Sequence, residues 1–232
     1  MRGRTAVRMA DARPQLLIIG ARGHARAVVD VVESEARYRI AGLVDSFQPA
    51  GTEALGYRIL GAEADVPALC ERHGIAAVFV AIGDNYQRLA MMARLRAAAP
   101  GIAFATCTDP MASVSAAATL GAGTVVMPGA IVVGGSTVGE GCVLNTASAL
   151  DHDSVMEDGA TLAPGARTGG YVRLGRRSYI GMGAVITPRC GIGADTLIGA
   201  GSLVLGDVPE SVVAYGAPCR VVRARPEDEN YL

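Results

Sequence analysis

Apolar residues along this chain recur with two different periods, and the change falls near residue 110. In the first half, short apolar runs alternate with segments of helical spacing. QLLII (15–19) reads as a buried strand, followed by GARGH and a helix through ARAVVDVVESEAR. YRIAGLVD (38–45) predicts a second strand, ADVPALCERH a short helix and AAVFVAI (76–82) another strand. In NYQRLAMMARLRAA (85–98), Tyr86, Leu89, Met92 and Leu95 share one helical face at three-residue spacing. IAFATC (102–107) closes the unit. Strands alternating with helices predict a parallel sheet with ligand sites at the carboxyl ends of its strands.

From Val114 the period becomes six. Every sixth residue from Val114 through Val204 is aliphatic, with Thr168 the one exception. Two positions earlier, from Ala118 on, stands Ala, Thr, Ser or Cys, except at Val172. An α-helix would need recurrence at 3.6 and a meander would show irregular turns, so the pattern is a hexapeptide β-helix repeat. Three hexapeptides make one triangular coil of 18 residues, with the aliphatic pointing into the prism and small residues at the corners. One coil cannot bury its own face, so coils must stack, and residues 114–204 supply about five. The chain therefore divides into a tail expected to be disordered (1–13), a Rossmann-like α/β unit (14–110), a β-helix (111–207) and a C-terminal cap and tail (208–232).

Composition agrees with a backbone that turns often around small side chains: thirty glycines, three Phe and no Trp in 232 residues. A net charge of −1 gives no electrostatic reason to expect nucleic acid or an anionic membrane as a partner. Five cysteines (Cys70, Cys107, Cys142, Cys190, Cys219) are scattered and never form CxxC. That spacing argues against a zinc site or a disulfide framework and for free thiols in a reducing cytoplasm. MRGRTAVRMADARPQ holds no long apolar run, so neither a signal peptide nor membrane insertion is expected.

One stretch of the repeat is unusually polar: NTASALDHDS, residues 145–154. His152 follows inward Leu150 by two residues, a phase near a corner from which a side chain projects outward. Residues one coil apart stack, which places Gly134 and Gly170 on either side of His152. The Asn145 column holds Ala163, Gly181 and Gly199. Such columns leave room beside the imidazole and describe a narrow channel of exposed backbone N–H groups suited to an amide-rich ligand arm. Imidazole, with an unperturbed pKa of about 6.5, suits proton removal near neutral pH. Asp151 or Asp153 is placed to orient it. A solvated corner histidine is the plainer alternative. His73, in the helix-ending ERHG, reads as a surface residue beside a C-cap.

The repeat, with GARGHARAVVD, AIGDN (81–85) and NTASALDHD (145–153), resembles the left-handed β-helix acyltransferases. More narrowly it resembles the two-domain bacterial nucleotide-sugar acetyltransferases, of the bacillosamine and perosamine N-acetyltransferase and sialic acid O-acetyltransferase type. The resemblance covers residues 14 to 223. It implies acetyl-CoA as co-substrate, without a metal, bound between neighbouring β-helices of a homotrimer. It implies a sugar nucleotide held by the N-terminal unit and direct attack of a sugar amine on the thioester. It assigns His152 as base with Asp153 as its partner and Asn145 beside them. Gly170 becomes the oxyanion donor, and Ala163, Gly181 and Gly199 line the acetyl-CoA channel. Many members carry a second His nine residues after the first; here that acceptor-pocket position is Thr161. YGAPCRVVR (215–223) matches the segment that closes such β-helices. It brings Arg220 near a CoA phosphate, or leaves it a surface residue.

Gly20-Ala21-Arg22-Gly23-His24 joins a strand to a helix. Helix N-terminal amides favour a phosphate there, though two glycines also serve a plain tight connection. They fall short of the spaced three of the dinucleotide fingerprint, which disfavours an NAD enzyme. Asp45 ends the second strand, where the resemblance implies contact with the nucleotide base. Ser46 follows where many members have a second acid, so uridine and guanosine both stay open. Gly83, Asp84 and Asn85 line the same pocket, or Asp84 and Asn85 cap a helix. The leading expectation is an N-acetyltransferase acting on the C4 amine of a UDP- or GDP-linked deoxyamino sugar in bacterial surface glycan synthesis. The alternatives are a sugar O-acetyltransferase and, in another class, a non-catalytic nucleotide-binding scaffold.

Overall fold

The computed structural model describes residues 12–226 and residue 229; all but two residues of the expected N-terminal tail, and the end of the C-terminal one, lie outside the described residues. Five strands, β1 (Gln15–Ile19), β2 (Arg39–Val44), β3 (Glu53–Ala54), β4 (Tyr57–Gly61) and β5 (Ile75–Val80), form a sheet in the order β3-β4-β2-β1-β5. All pairings are parallel except β3–β4. The β3–β4 hairpin escaped the sequence reading because its turn is Leu55-Gly56, both at positive φ, without the Asn-Gly or Asp-Gly that marks such turns. Helices α1 (Gly23–Glu35), α2 (Val66–His73) and α3 (Asn85–Ala98) flank the sheet. α1 buries Ala25, Val28, Val29, Val31 and Val32, and α2 stops where Gly74 turns left-handed. No helix among the described residues is long and apolar enough to cross a membrane.

The segment 102–107, which closes the unit, adds no strand to this sheet. Phe104 makes a single bridge to Val78, and Cys107–Thr108 instead pairs with Val125–Val126 as the first rung of the β-helix. From there two-residue strands pair in parallel one coil apart, Val114 with Val132 and Val132 with Leu150. They build the three faces of a left-handed β-helix. The inward aliphatics from Val126 to Val204 are essentially inaccessible, each buried Leu or Ile contributing about 1.5–3 kcal/mol. Thr168 gives up that contribution. Its hydroxyl instead accepts the Asp151 N–H at 3.1 Å, and the rung there is reduced to Ala149 with Arg167. The break in the aliphatic phase therefore supports the turn that carries His152. At the corners every sixth residue from Gly123 to Gly201 has positive φ, and most are glycine. Val212–Tyr215 adds a last parallel rung and Arg220–Ala224 folds back antiparallel on it.

The N-terminal unit docks along one corner of the prism through α3. Gly123, Gly141 and Gly159 permit this: an added Cβ would stand 2.7 Å from Met92 Cε, 2.8 Å from Met92 Sδ and 2.6 Å from Leu89 Cδ1. The buried face of α3 is rotated from the expected one. Asn85, Arg88, Met91, Met92 and Leu95 are buried, whereas Tyr86 is exposed and lies under the Arg177 guanidinium. Arg88 is fully buried and staples the two units. It donates to the carbonyls of Ile82 and Gly83 on one side and Gly141 and Gly159 on the other, and to Asn85 Oδ1 and Thr161 Oγ1.

Candidate active site

The His152 corner stacks the turns 133–136, 151–154, 169–172 and 187–190. His152 Nδ1 lies 2.9 Å from Asp153 Oδ2, with both side chains half-exposed. Of the two candidate acids, Asp153 holds the ring. Asp151 shapes the turn instead, its Oδ1 accepting the His152 backbone N–H at 2.8 Å. Asp153 is left-handed (φ 54), a conformation its short polar side chain tolerates. Nε2 is turned to Gly170, where an added Cβ would stand 2.5 Å from both Cε1 and Nε2. Glycine at 170 is a requirement of close approach. The Gly170 amide donates to no acceptor among the described residues. Gly134 stacks one coil before, its carbonyl accepting the Asp153 N–H at 3.2 Å, and a Cβ there would meet Ser115 Oγ.

Two residues at this corner were not found in the sequence. The Tyr171 ring meets His152 edge-on, centroids 5.2 Å apart and planes at 86°, and the Arg189 guanidinium lies 4.7 Å over the Tyr171 ring. The available signal was the coil length, since Asp153, Tyr171 and Arg189 stand 18 apart and share the left-handed position.

Asn145 occupies the neighbouring corner, its Nδ2 donating to the Leu162 carbonyl at 3.2 Å. Its column does not form the expected channel of open amides. The N–H groups of Ala163, Gly181 and Gly199 donate to Ile180, Ile198 and Ala214 at 2.9, 2.8 and 2.8 Å. The residue after each inward aliphatic is a rung donor, and the glycines at 181 and 199 make room for the next coil and for Tyr215. Asn145, Val143, Thr161, Pro164 and Tyr179 line a cavity of about 230 Å³ closed by His24 and Gly83 from the N-terminal unit. The Thr161 hydroxyl is already engaged there, donating to Asn85 Oδ1 at 2.7 Å and accepting from Arg88. Asn85 Nδ2 donates to the carbonyls of Arg177 and Ser178. Asn85 thus belongs to the joint between the units and does not line the strand-end cleft.

A larger cleft, about 440 Å³, opens at the carboxyl ends of β1, β2 and β5. Gly20, Arg22, Gly23, His24, Asp45, Gly83 and Asp84 line it as expected, together with Gln87. Ala21 lies buried behind, its N–H donated to Asp45 Oδ2 at 3.0 Å, while Asp45 Oδ1 accepts from Phe47 N at 2.8 Å. Asp45 thereby ties the two loops together. Asp84 caps α3 by accepting the Gln87 N–H at 2.8 Å and also lines the cleft, so both readings of it hold. Arg22 stacks 4.2 Å over the exposed Phe47, a partner without a sequence signal. His24 borders both cavities, but its Nε2 is sealed with no partner among the described residues. Burial lowers its pKa to about 4, aided by the nearby Arg88 cation. The ring is therefore neutral near pH 7 and supplies no charge to a phosphate.

A third cavity, about 420 Å³, is formed by Val204–Val208, Cys219, Arg220 and Val221. It continues the His152 corner toward the C-terminus. Arg220 is exposed there, one guanidinium nitrogen donating to the Cys219 carbonyl.

Residues 15–95 match the family model of the PglD N-terminal domain. Among solved structures the chain is similar to PerB from Caulobacter crescentus in complex with CoA and GDP-perosamine. That likeness is 33% identity over 90% of this chain and 97% of that one, with a TM-score of 0.84. It is also similar to the acetyltransferase domain of PglB from Neisseria gonorrhoeae in complex with acetyl coenzyme A. There the figures are 30% identity, 90% and 100% coverage, and a TM-score of 0.83. A curated relative, galactoside O-acetyltransferase of Escherichia coli, is 44% identical over 61 residues, which is 26% of this chain and 30% of that protein's length. The chain thus spans about a third of the curated relatives it matches.

Proposed function

Because the chain belongs to the left-handed β-helix family of nucleotide-sugar acetyltransferases, we propose that it transfers the acetyl group of acetyl-CoA to an amine, at C4, of a UDP- or GDP-linked deoxyamino sugar. The observation that carries this reading is the His152–Asp153 pair set over Gly170 on a corner that leads to a separate cavity at Arg220. At the ~4.8 Å spacing of paired strands, the three rungs from His152 to that cavity span about 14 Å. This suits an extended pantetheine arm with its thioester at Gly170 and its diphosphate near Arg220. The cleft at the strand ends, with the N-terminus of α1 facing it, suits the nucleotide diphosphate.

In the reaction the amine lone pair forms the N–C bond at the thioester carbonyl. The carbonyl electrons move to oxygen, where the uncommitted Gly170 N–H meets the growing charge. His152 Nε2 takes the proton from nitrogen, and the Asp153 carboxylate stabilises the imidazolium. On collapse the C–S bond breaks and the thiolate receives that proton, leaving the amide and the CoA thiol. His152 lines neither sugar-side cavity of its own chain, which supports a homotrimer with sites completed by a neighbour. We place the reaction in the cytoplasm, in bacterial surface glycan synthesis.

Incubation with acetyl-CoA and UDP-, GDP- or dTDP-linked 4-amino sugars, followed by mass spectrometry, tests the reading. Acetylated amino sugar should form, and His152→Ala should slow it by at least about 10²-fold. The match to galactoside O-acetyltransferase favours a second reading, transfer to a sugar hydroxyl; hydroxyl sugar nucleotides in the same assay separate the two. Transfer to neither class would sink both.

A further inference from the structure

The His152 corner is held in the left-handed region by Gly135, Asp153, Tyr171 and Arg189 (φ 77, 54, 60 and 66). Elsewhere around the prism this position is mostly glycine, the residue that adopts it without a side-chain penalty. A tyrosine there is a true outlier. Burial does not explain it, because Tyr171 is 50% exposed. What Tyr171 does have is a specific set of neighbours. Its ring meets the imidazole edge-on, with centroids 5.2 Å apart. The Arg189 cation braces the same ring at 4.7 Å. The imidazole is thus bounded by Asp153 at Nδ1, by Gly170 at Nε2 and by an aromatic wall. Without that wall a half-exposed histidine has other staggered rotamers open to it.

We propose that Tyr171 is a positioning residue: it holds the His152 ring in the one orientation that keeps Nδ1–H on Asp153 and leaves Nε2 over Gly170, with Arg189 bracing Tyr171 from the adjacent coil. This rests on His152 being the base.

The test compares wild type with Tyr171→Phe, Tyr171→Gly and Tyr171→Asn, the last two being residues that accept the left-handed backbone. Removal of the ring should lower kcat by about tenfold or more through misplacement of the base. The KM values for acetyl-CoA and sugar nucleotide should stay within about twofold. The melting temperature should hold within about 2 °C, because strain relief offsets the lost contact. Phe, which keeps the ring, should restore kcat. In ¹⁵N-histidine NMR, the signal missing from His152→Asn identifies His152. It should show the Nδ1–H tautomer in wild type and Tyr171→Phe and an averaged tautomer in Tyr171→Gly. The idea is overturned if the glycine variant keeps kcat and tautomer, if KM alone rises, or if Phe fails as badly as Gly. Should Tyr171→Gly not fold, Tyr171→Asn carries the same readouts. The NMR arm needs no turnover, so a wild type inactive on every sugar tested would count against the proposed function while the tautomer still decides the role of Tyr171.

Discussion

At the scale of single residues, the clearance at Gly170 makes the corner sensitive to one methyl group. A Cβ would lie 2.5 Å from His152 Nε2, so Gly170→Ala must drive the ring out of place. We expect kcat to fall by about 10²-fold or more, with steady-state kinetics as the check. Asp153→Asn makes a cleaner comparison, since asparagine also tolerates φ 54 and keeps the shape of the side chain. Its loss is the carboxylate charge beside the imidazolium, and a kcat drop of at least about tenfold with unchanged melting is expected. His24 supplies a pH dependence of stability. Its pKa of about 4 in the folded protein lies below the unfolded value of 6.5, so between these values the unfolded chain holds the extra proton. Stability should therefore fall as pH drops, by roughly 1–2 kcal/mol between pH 7 and pH 5 on account of this ring. Urea melts at the two pH values should show that His24→Gln removes this part of the difference. An undiminished difference would mean that other groups carry it.

At the scale of elements, α3 and its corner show what a periodic sequence discloses and what it hides. The six-residue phase gave the rungs, the inward column and the stacking of His152 on Gly170, because each depends only on counting along the chain. It did not give the docking of α3, which depends on the angle at which two surfaces meet. Asn85 and Thr161 were therefore expected to face ligands, yet each is satisfied by the other and by Arg88. Arg88 itself had no signal, since an arginine in an amphipathic helix reads as solvent-facing. The open-amide channel at Ala163, Gly181 and Gly199 was expected from glycine content without asking where each N–H donates; rung geometry consumes all three. Arg88→Lys tests how much the joint relies on a planar fork. An ammonium has three donors and cannot span carbonyls on both units, so stranded buried acceptors should cost about 2 kcal/mol or more in denaturant melts. The cleft at the strand ends should loosen with it, because Ile82 and Gly83 form both its wall and the Arg88 anchor.

At the scale of the whole molecule, the proposed base and the proposed sugar cleft stand on different corners of one prism. The face that runs from the Asn145 corner to the His152 corner carries outward Ile131 and Val185, each 43% exposed. Such a face suits contact with another copy of the chain. Packed around a threefold axis, one chain's His152 corner would then meet the neighbouring chain's sugar cleft. That arrangement has a quantitative consequence. Let one variant lack the base (His152→Ala) and another lack the loop tie of the nucleotide cleft (Asp45→Ala), each inactive alone. If sites are shared, a trimer containing both kinds of chain holds sites that draw an intact base from one and an intact cleft from the other. Random exchange of an equal mixture should then restore about one quarter of wild-type activity, since a heterologous interface pairs chains in all four combinations. If each chain completes its own site, mixing restores nothing, and the shared-site trimer is excluded even though the chemistry at His152 would stand. The mixed sample should be denatured and refolded together, with its mass checked by light scattering, so that a failure to exchange chains is not mistaken for sites that work in isolation.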